Sequence, residues 1–368
     1  MINNIVYVSS IPWTFSWHRQ QEMMSKLAEE GFRILFVQPS DKHHPMKHAL
    51  VRQSDYIWLL SVSGLPYERC LRGINKINSQ IAKKQIKEVV NKIQFTDYIL
   101  WLDRVHGFDY RYFREAHFVI YDLIDEILAF GRMRNEKLLI GLENIVLQDA
   151  DLLISSSKTL MIRKIKQAGR KKESIFIPNG VDCKRFRDGW TVECAEAKPD
   201  ISNLKIGFIG HISQRSLNFG LVKVCAQMRP NWKFIFVGPG TPDDKRLLEG
   251  DNIIVRDAVG GDQIPAVIYE FDVGIIPYNI EKMDMDYVFP RKACEYLAAG
   301  KPVVSTPLQE VEVLKPFVKT ADNPQNFIAE IESSLQEELS KEARMDFVKQ
   351  FDWESLMGAL IQKLQKLE

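Results

Sequence analysis

The sequence predicts an α/β protein with two doubly wound domains, each built on a parallel β-sheet. Short runs of β-branched and aromatic residues alternate with longer amphipathic segments, and this alternation is typical of parallel strands covered by helices. The chain has 368 residues, a length that allows two or three domains. The alternation stops near residue 190 and begins again near residue 204, so we expect a domain boundary there.

The first half contains seven predicted strands, separated by helical segments. The first of these helices is well marked, because His18–Glu30 places four apolar residues on one face and Gly31 provides a stop. The strands are Ile5–Val8, Arg33–Val37, Tyr56–Leu60, Tyr98–Leu102, Phe118–Tyr121, Leu152–Ser155 and Ser174–Ile177.

The second half contains five predicted strands and a closing helix. Between the halves, Trp190–Asn203 is rich in charged residues with little apolar periodicity, which indicates an exposed connection. We therefore expect domains over 1–185 and 204–350, a linker over 186–203 and a C-terminal helix within 351–368. The strands are Leu204–Ile209, Lys233–Val237, Asn252–Val255, Asp272–Ile276 and Pro302–Ser305.

Composition and charge exclude several classes of protein. Hydrophobic residues make up 45% of the chain and charged residues 26%, which argues against disordered, collagen-like and disulfide-stapled proteins. The formal net charge of +1 provides no overall field to hold the chain on nucleic acid or anionic lipid. Five scattered cysteines form no C-x-x-C pair, and neither a signal peptide nor a long apolar span is present. We expect a cytoplasmic protein without a zinc site.

The segment 272–306 has the highest density of residues that could bind a ligand. A predicted strand is followed by a polar loop, and Pro290 stands where a helix begins. Helix starts offer N–H groups to an anion such as diphosphate, and Arg291 and Lys292 would add charge. Glu295 could accept paired hydrogen bonds from the vicinal hydroxyls of a ribose. The alternative is a solvated Lys292–Glu295 ion pair.

Two glycine turns follow the first two strands of the second half. Gly210 would let the backbone approach a phosphate closely, Arg215 could supply charge, and Gly238 could line the same cleft. The alternative is that these glycines serve only the turns. The sequence has neither G-x-G-x-x-G nor G-x-x-x-x-G-K-[ST], which disfavours a dinucleotide dehydrogenase and a P-loop NTPase.

The helix start at 290–296 resembles the donor-site signature of GT-B glycosyltransferases, Pro-x-Lys-x-x-Glu-Tyr. The segments 177–186, 206–215 and 229–239 are similar to further parts of that family's donor domain, so the resemblance covers most of residues 150–310. Two features of this sequence differ from the retaining enzymes of that family. Tyr287 stands where these enzymes have a second glutamate, and the chain lacks their usual Arg and Lys pair after the glycine loop.

The resemblance implies a GT-B architecture, with two Rossmann-like domains facing a central cleft and a C-terminal helix crossing back to the first domain. The second domain would bind a nucleotide-sugar, expected to be a UDP-sugar, with no required metal or other cofactor. Asp284, Asp286 and Tyr287 lie where related enzymes contact the donor phosphate or sugar, although the two acids could also be plain loop residues. The stereochemical outcome stays open.

Two carboxylates follow a strand of the first half and are candidates for a general base. Asp122 and Asp125 stand at a carboxyl end, where a carboxylate could take a proton from an acceptor hydroxyl. The alternative is a helix cap. The Tyr-Asp-x-x-Asp pattern resembles a subgroup that includes xanthan glucuronosyltransferase and teichuronic-acid-type transferases, in which an inverting member uses such an aspartate. The pattern does not say which aspartate corresponds.

The loop after the first strand is a candidate acceptor site. Trp13 and Trp17 could stack on a sugar ring or an apolar lipid, while His18 and Arg19 could bind hydroxyls or a phosphate. The same subgroup has a similar pattern here. The alternative is that the tryptophans close the edge of the domain.

Two basic stretches, 69–92 and 158–172, could contact an anionic membrane, which would suit a lipid-linked acceptor. Solvated helix faces are the alternative. The resemblance implies a glycosyltransferase acting on a glycan or lipid-linked saccharide in surface polysaccharide or glycoconjugate biosynthesis, at the inner face of the cell membrane. The competing hypotheses are a nucleotide-sugar epimerase of the same fold and a nucleotide-sugar-binding protein without catalysis. No nucleic-acid partner is expected.

Overall fold

The structure is a computed structural model, and it divides into two compact units. One unit comprises Met1–Pro178 with Met357–Glu368, and the other comprises Asn179–Leu356. The residues described below are 2–15, 17–39, 48–65, 71–105, 108–113, 115–126, 136–169, 172–188, 199–281, 287–336 and 339–366.

The first unit contains an eight-stranded sheet. Its strands are β1 Asn4–Val8, β2 Arg33–Gln38, β3 Ala49–Arg52, β4 Ile57–Ser61, β5 Ile99–Leu102, β6 Phe118–Leu123, β7 Leu152–Ser155 and β8 Glu173–Phe176. Their order across the sheet is β3-β4-β2-β1-β5-β6-β7-β8. All neighbours are parallel except β3, which runs antiparallel to β4 at the edge.

Four helices belong to the first unit alone. They are α1 Arg19–Glu29, α2 Arg72–Lys92, α3 Glu136–Asp149 and α4 Lys158–Ala168. Local sequence fixes the ends of α4, because the Ser157 side chain accepts a hydrogen bond from the Leu160 N–H and Gly169 adopts a left-handed φ of 70°. The central strands of this sheet are fully buried and largely β-branched or aromatic, as expected for a parallel sheet covered on both faces.

The second unit contains a six-stranded parallel sheet. Its strands are β9 Lys205–Ile209, β10 Lys233–Val237, β11 Ile253–Arg256, β12 Val273–Ile276, β13 Val303–Ser305 and β14 Val318–Thr320. The helices are α5 Cys183–Asp188, α6 Phe219–Met228, α7 Pro242–Leu248, α8 Ile264–Tyr269, α9 Arg291–Ala298, α10 Pro324–Gln336 and α11 Lys341–Val348. The last helix, α12 Trp353–Gln365, begins in this unit and ends in the first.

The strand order reverses once in each sheet, and this determines where a ligand fits. The six-stranded sheet has the order β11-β10-β9-β12-β13-β14, so the chain changes direction between β9 and β12. In the larger sheet the corresponding change lies between β1 and β5. Ligands of open α/β sheets bind outside the carboxyl ends of the strands at such a switch point. The residues that follow these four strands are therefore the first place to look for a site.

The predicted α/β class is confirmed, and all twelve predicted strands are present with ends displaced by no more than two residues. The sequence prediction omitted β3 and β14. Both are short strands at a sheet edge, where partly exposed residues replace the apolar run of a central strand.

The division of the chain comes earlier than the boundary predicted after residue 185. The second unit begins at Asn179, and the residues just after it contact the end of that unit. Val181 pairs with Asp352 in an isolated parallel bridge, and the Cys183 N–H donates to Asp352 Oδ2 over 2.8 Å. Within the predicted linker, α5 extends to Asp188, and residues 189–198 lie outside the described residues.

Candidate functional site

Two glycine turns lie against each other at the switch point of the second unit. Gly210 directly follows β9 with a φ of 149°, and Gly238 follows β10 with a φ of 155°. A Cβ at Gly238 would lie 1.9 Å from the Gly210 carbonyl oxygen, and a Cβ at Gly210 would lie 2.2 Å from Lys292 Cε. Only glycine permits this backbone conformation and this close approach together.

Lys292 extends from the first turn of α9 to the Gly210 turn. Its Nζ lies 3.3 Å from the Tyr278 hydroxyl and 5.8 Å from the centroid of the Phe208 ring. The interactions with Tyr278 and then with Glu295 raise the pKa of Lys292 above its ordinary value, and burial opposes them. No carboxylate of the described residues is within 4.0 Å of this ammonium group. The switch point therefore holds a half-buried cation that stays charged at neutral pH.

Glu295 forms an ion pair, but with a different partner from the one considered in the sequence. Its Oε1 lies 3.0 Å from Arg291 Nε, one helical turn earlier. The side chain of Glu295 is only 10% exposed, whereas that of Arg291 is 44% exposed. No side chain caps the first turn of α9, and the Arg291 and Ala293 N–H groups donate to the Phe289 and Pro290 carbonyls. The Lys292 N–H, which makes no such bond, is therefore the donor that this turn offers beside the Lys292 cation. The arrangement combines donors for an anion with one carboxylate held beside them.

The other residues predicted to bind the donor lie in two segments of the chain, one after β9 and one before α9. Arg215 is exposed in the turn after β9, and Tyr287 is half-buried shortly before α9. Asp284 and Asp286 lie outside the described residues.

Asp122 and Arg19, which were assigned separate roles from the sequence, form one buried ion pair. Arg19 Nη2 lies 3.1 Å from Asp122 Oδ1, and the two side chains are 3% and 0% exposed. The same guanidinium donates to the Ile177 and Pro178 carbonyls. Burial raises the pKa of Asp122, and the charge of Arg19 opposes this. Both charged groups are buried and bonded to each other, and Arg19 also bonds the chain after β8. The pair therefore joins α1, β6 and the chain after β8.

Asp125 differs from Asp122 in being exposed. It follows the end of β6, and surrounding protein raises its pKa above the ordinary value, while the charge of His18 lowers it. His18 is itself exposed at the start of α1. The charge of His18 thus acts on Asp125, and both are predicted site residues. Of the two candidate bases, only Asp125 is accessible.

Asp103 is a site residue that the sequence prediction omitted. It follows β5 at the switch point of the first unit, and its Oδ2 accepts hydrogen bonds from Tyr7, Ser10 and Gln20 over 3.1, 3.2 and 3.2 Å. Its Oδ1 is buried without a hydrogen-bond partner. Burial first, and then the charge of Asp122, raise the pKa of Asp103 to about 7. Asp103 could have been predicted from the sequence, because it directly follows a predicted strand, as Asp122 does.

The two tryptophans of the first loop have different environments. Trp13 is buried and packs edge-on against Phe36 of β2, with ring centroids 5.0 Å apart, so it is part of the core of the first unit. Trp17 is 55% exposed and its indole N–H donates to Glu22. Phe15 is 52% exposed beside His18. Trp17 and Phe15 are therefore exposed aromatic side chains of this loop, whereas Trp13 is not.

The basic stretch 158–172 is not one solvated face. Lys164 is buried between Glu126 and Glu143, with Nζ–Oε distances of 2.8 and 2.7 Å. Lys172 is buried too and donates to the Gln148 and Ala150 carbonyls. These two lysines stabilise the first unit and are not available to a membrane, which corrects that part of the sequence interpretation. Arg170 and Lys171 lie outside the described residues.

Two features are absent from the described part of the chain. No group of three or more His, Cys, Asp or Glu side chains there is placed to hold a metal ion. None of the helices in the same residues combines the length and the apolar character needed to cross a bilayer.

Comparisons by sequence identify a family and a relative that this chain resembles. Residues 203–337 match the family described as glycosyl transferases group 1. The chain is 32% identical over 263 residues to TuaH of Bacillus subtilis (strain 168), a protein named for a proposed role as a teichuronic acid biosynthesis glycosyltransferase, and the match covers 66% of each chain.

Solved structures show similarity over nearly the whole chain. Sucrose-phosphate synthase of Thermosynechococcus elongatus superposes with a TM-score of 0.73 at 13% identity, covering 99% of both chains. HepE of Anabaena in complex with UDP superposes with a TM-score of 0.69 at 16% identity, covering 99% of this chain and 100% of HepE. At these identities the likeness shows the fold, which is the predicted pair of parallel-sheet domains.

Proposed function

Because residues 203–337 place the chain in the group 1 glycosyl transferase family, we propose that it transfers a sugar from a nucleoside-diphosphate sugar to the hydroxyl of an acceptor. The observation that carries this proposal is the Lys292 ammonium, held against the Gly210 turn at the switch point of the second unit. We propose that this unit binds the donor and that the first unit binds the acceptor.

The donor diphosphate would lie between the glycine turns and the start of α9. A helix start, the charged Lys292 and backbone that approaches closely through Gly210 and Gly238 are the features that bind such an anion. As the bond to the sugar breaks, negative charge grows on the diphosphate, and these fixed donors would stabilise it. Arg215 lies five positions after Gly210, and the exposed Arg291 directly precedes Lys292. Both side chains would add positive charge beside the diphosphate.

Glu295 would hold the ribose of the donor. Arg291 fixes its Oε1, so the second carboxylate oxygen would accept the ribose hydroxyls from a set position. The structural similarity to HepE in complex with UDP supports uracil as the base. Tyr287, Asp284 and Asp286 are proposed contacts of the donor sugar.

On the acceptor side, Asp125 is the proposed general base if the reaction inverts the anomeric centre. It is the exposed member of the two candidates, and His18 stands near it. Trp17, with His18, is the proposed acceptor contact. TuaH is named for teichuronic acid biosynthesis, which supports an acceptor in polysaccharide biosynthesis. We propose that this acceptor is a glycan or a lipid-linked saccharide at the inner face of the membrane.

Thermal stability against UDP-, GDP-, ADP- and dTDP-sugars and the free diphosphates tests the donor site. We expect one nucleotide to raise the melting temperature, because a ligand that binds only the folded state stabilises it by mass action. At a hundredfold excess over Kd, the gain is about 2.7 kcal/mol. Lys292→Ala and Glu295→Ala should lose this shift.

The matched control is Lys233→Ala. Lys233 is an exposed lysine of the same unit, at the amino end of β10 and therefore at the opposite edge of the sheet. It should keep the full shift. A folded wild-type protein that responds to none of the nucleotides would contradict the proposed donor site.

Turnover separates a transferase from a nucleotide-sugar epimerase and from a binding protein without catalysis. Asp125→Asn should keep the nucleotide-induced shift and reduce the transfer rate by about 10²-fold or more, since a general base contributes on that scale. Product analysis by mass spectrometry distinguishes transfer from epimerisation. A transfer rate unchanged in Asp125→Asn would exclude this residue as the base.

A further inference from the structure

The first unit contains a cavity of ≈ 810 Å³ that is separate from the residues assigned above. Its walls come from three places: the first turns of α2, the 3₁₀ helix Tyr110–Phe113 with the residue before it, and the first turns of α3. The volume is within the range of small-molecule sites in proteins.

The charge of the cavity wall is strongly positive. Four cations line it, Arg72, Lys76, Arg111 and Lys137, against one carboxylate, Asp109. Arg111 already neutralises Asp109 through a bidentate contact, with Nη2–Oδ2 and Nε–Oδ1 distances of 2.6 and 2.9 Å. The other three cations form no ion pair with any residue that the structure describes. Among the described residues, three positive charges at this surface therefore have no counter-ion.

A buried polar group provides an independent indication of a ligand. Asn75 lines the cavity and is only 2% exposed, and its side-chain Nδ2 has no hydrogen-bond partner. A buried amide donor left unpaired costs free energy. Because the unpaired group is a donor set among cations, the missing partner is an acceptor, and an anion supplies the best one.

The cavity lies at the functional edge of the sheet. Helices α2 and α3 follow the carboxyl ends of β4 and β6, so both helix starts, with their positive dipole ends, face it. Contacts fix the wall: Asn78 of α2 exchanges hydrogen bonds of 2.7 and 2.9 Å with the Leu65 backbone after β4. The Asp109 N–H donates to Ser79 Oγ over 2.8 Å.

The remaining part of the wall is aliphatic. Leu138, Leu142 and Ile145 come from one face of α3 and lie beside the cations. A ligand that fits both parts carries negative charge at one end and apolar groups or a sugar ring at the other.

We propose that this cavity binds the phosphate or diphosphate group of a phosphorylated acceptor. The inference rests on the proposed function, since it specifies the acceptor's chemical class. Two sources have the same chemistry at this site, a soluble sugar phosphate and a prenyl-linked phosphate, and the aliphatic part of the wall favours the second.

The first experiment is calorimetric titration with inorganic diphosphate in the presence of saturating UDP, so that the donor site is occupied. The wild-type protein should bind the probe, and affinity should fall as salt is raised. Lys76→Ala/Lys137→Ala should weaken binding by about 10²-fold, at about tenfold for each charge-assisted contact removed. Lys84→Ala is the matched control, an exposed lysine of the same helix outside the cavity, and should leave binding unchanged.

A second titration identifies the source. Farnesyl diphosphate in detergent micelles should bind at least tenfold more tightly than inorganic diphosphate, and Leu138→Gln should remove that difference. If glucose 6-phosphate binds as tightly as farnesyl diphosphate, the acceptor is a soluble sugar phosphate and the phosphate site stands.

The two proposals fail in different ways. If UDP binds but no diphosphate compound binds beside it, or if the double variant and Lys84→Ala have equal effects, the cavity is not a phosphate site and the donor site is unaffected. If UDP does not bind, the proposed function fails, while binding of diphosphate that depends on Lys76 and Lys137 would still identify an anion site.

Discussion

At the scale of single residues, tertiary neighbours change what a side chain can do. Asp122 and Asp125 are three positions apart in the sequence, yet one is buried against Arg19 and the other is exposed near His18. Asp103 should affect stability more, because its carboxyl group lies at a switch point with one oxygen that is buried and has no hydrogen-bond partner. Its protonation state should therefore be visible in the stability of the protein.

We expect the stability contribution of Asp103 to fall as pH rises. Its pKa is about 7 in the folded protein against 3.8 in an unfolded chain, so between these values the unfolded chain releases a proton that the folded protein keeps. The free energy of unfolding should decrease by up to about 4 kcal/mol across this window, at about 1.4 kcal/mol per pH unit. Asp103→Asn removes the titration, so its stability relative to wild type should be higher at pH 8 than at pH 4.

Chemical denaturation at a series of pH values measures this effect. Asp97→Asn is the control, because Asp97 is an exposed aspartate just before the same strand. It should follow the wild-type pH profile. An Asp103→Asn profile parallel to that of wild type from pH 4 to pH 8 would contradict the raised pKa.

At the scale of secondary-structure elements, helix α4 shows how a basic pattern can be misread. Its lysines and arginine looked like one solvated face, but Lys164 inserts between Glu126 after β6 and Glu143 on α3. Gln167 adds a hydrogen bond to Asn144 over 2.7 Å. Since Glu126 directly follows Asp125, this network also fixes the chain beside the proposed base.

Lys164→Met should destabilise the protein by about 3 kcal/mol or more, because it leaves two buried carboxylates without their shared counter-ion. Equilibrium denaturation at pH 7 measures the loss.

Lys166→Met provides the comparison for that variant. Lys166 is exposed on the same helix and makes no ion pair with any described residue, so the change should cost less than about 0.5 kcal/mol. Equal losses in the two variants would show that the buried network contributes nothing beyond an ordinary surface lysine.

At the scale of the whole molecule, the two sheets repeat one topological rule. Each reverses its strand order once, and each places residues of interest at the reversal: Asp103 in the first unit, Gly210 and Lys292 in the second. The alternation of apolar runs and amphipathic helices was sufficient to predict twelve strands, because buried parallel strands are almost uniformly apolar. The edge strands β3 and β14 lack that pattern and were omitted.

The sequence by itself determined the α/β class, the central strands and the donor motif, because strand runs and a helix start are local patterns. The motif from Pro290 to Tyr296 is contiguous, so its position on α9 followed directly. Only the tertiary structure decided which charges are available. The ion pair of Arg19 with Asp122 joins positions 103 residues apart, and the cavity lined by Arg72, Arg111 and Lys137 draws on three separate segments. Burial and pairing depend on such distant contacts, and no local pattern of residues records them.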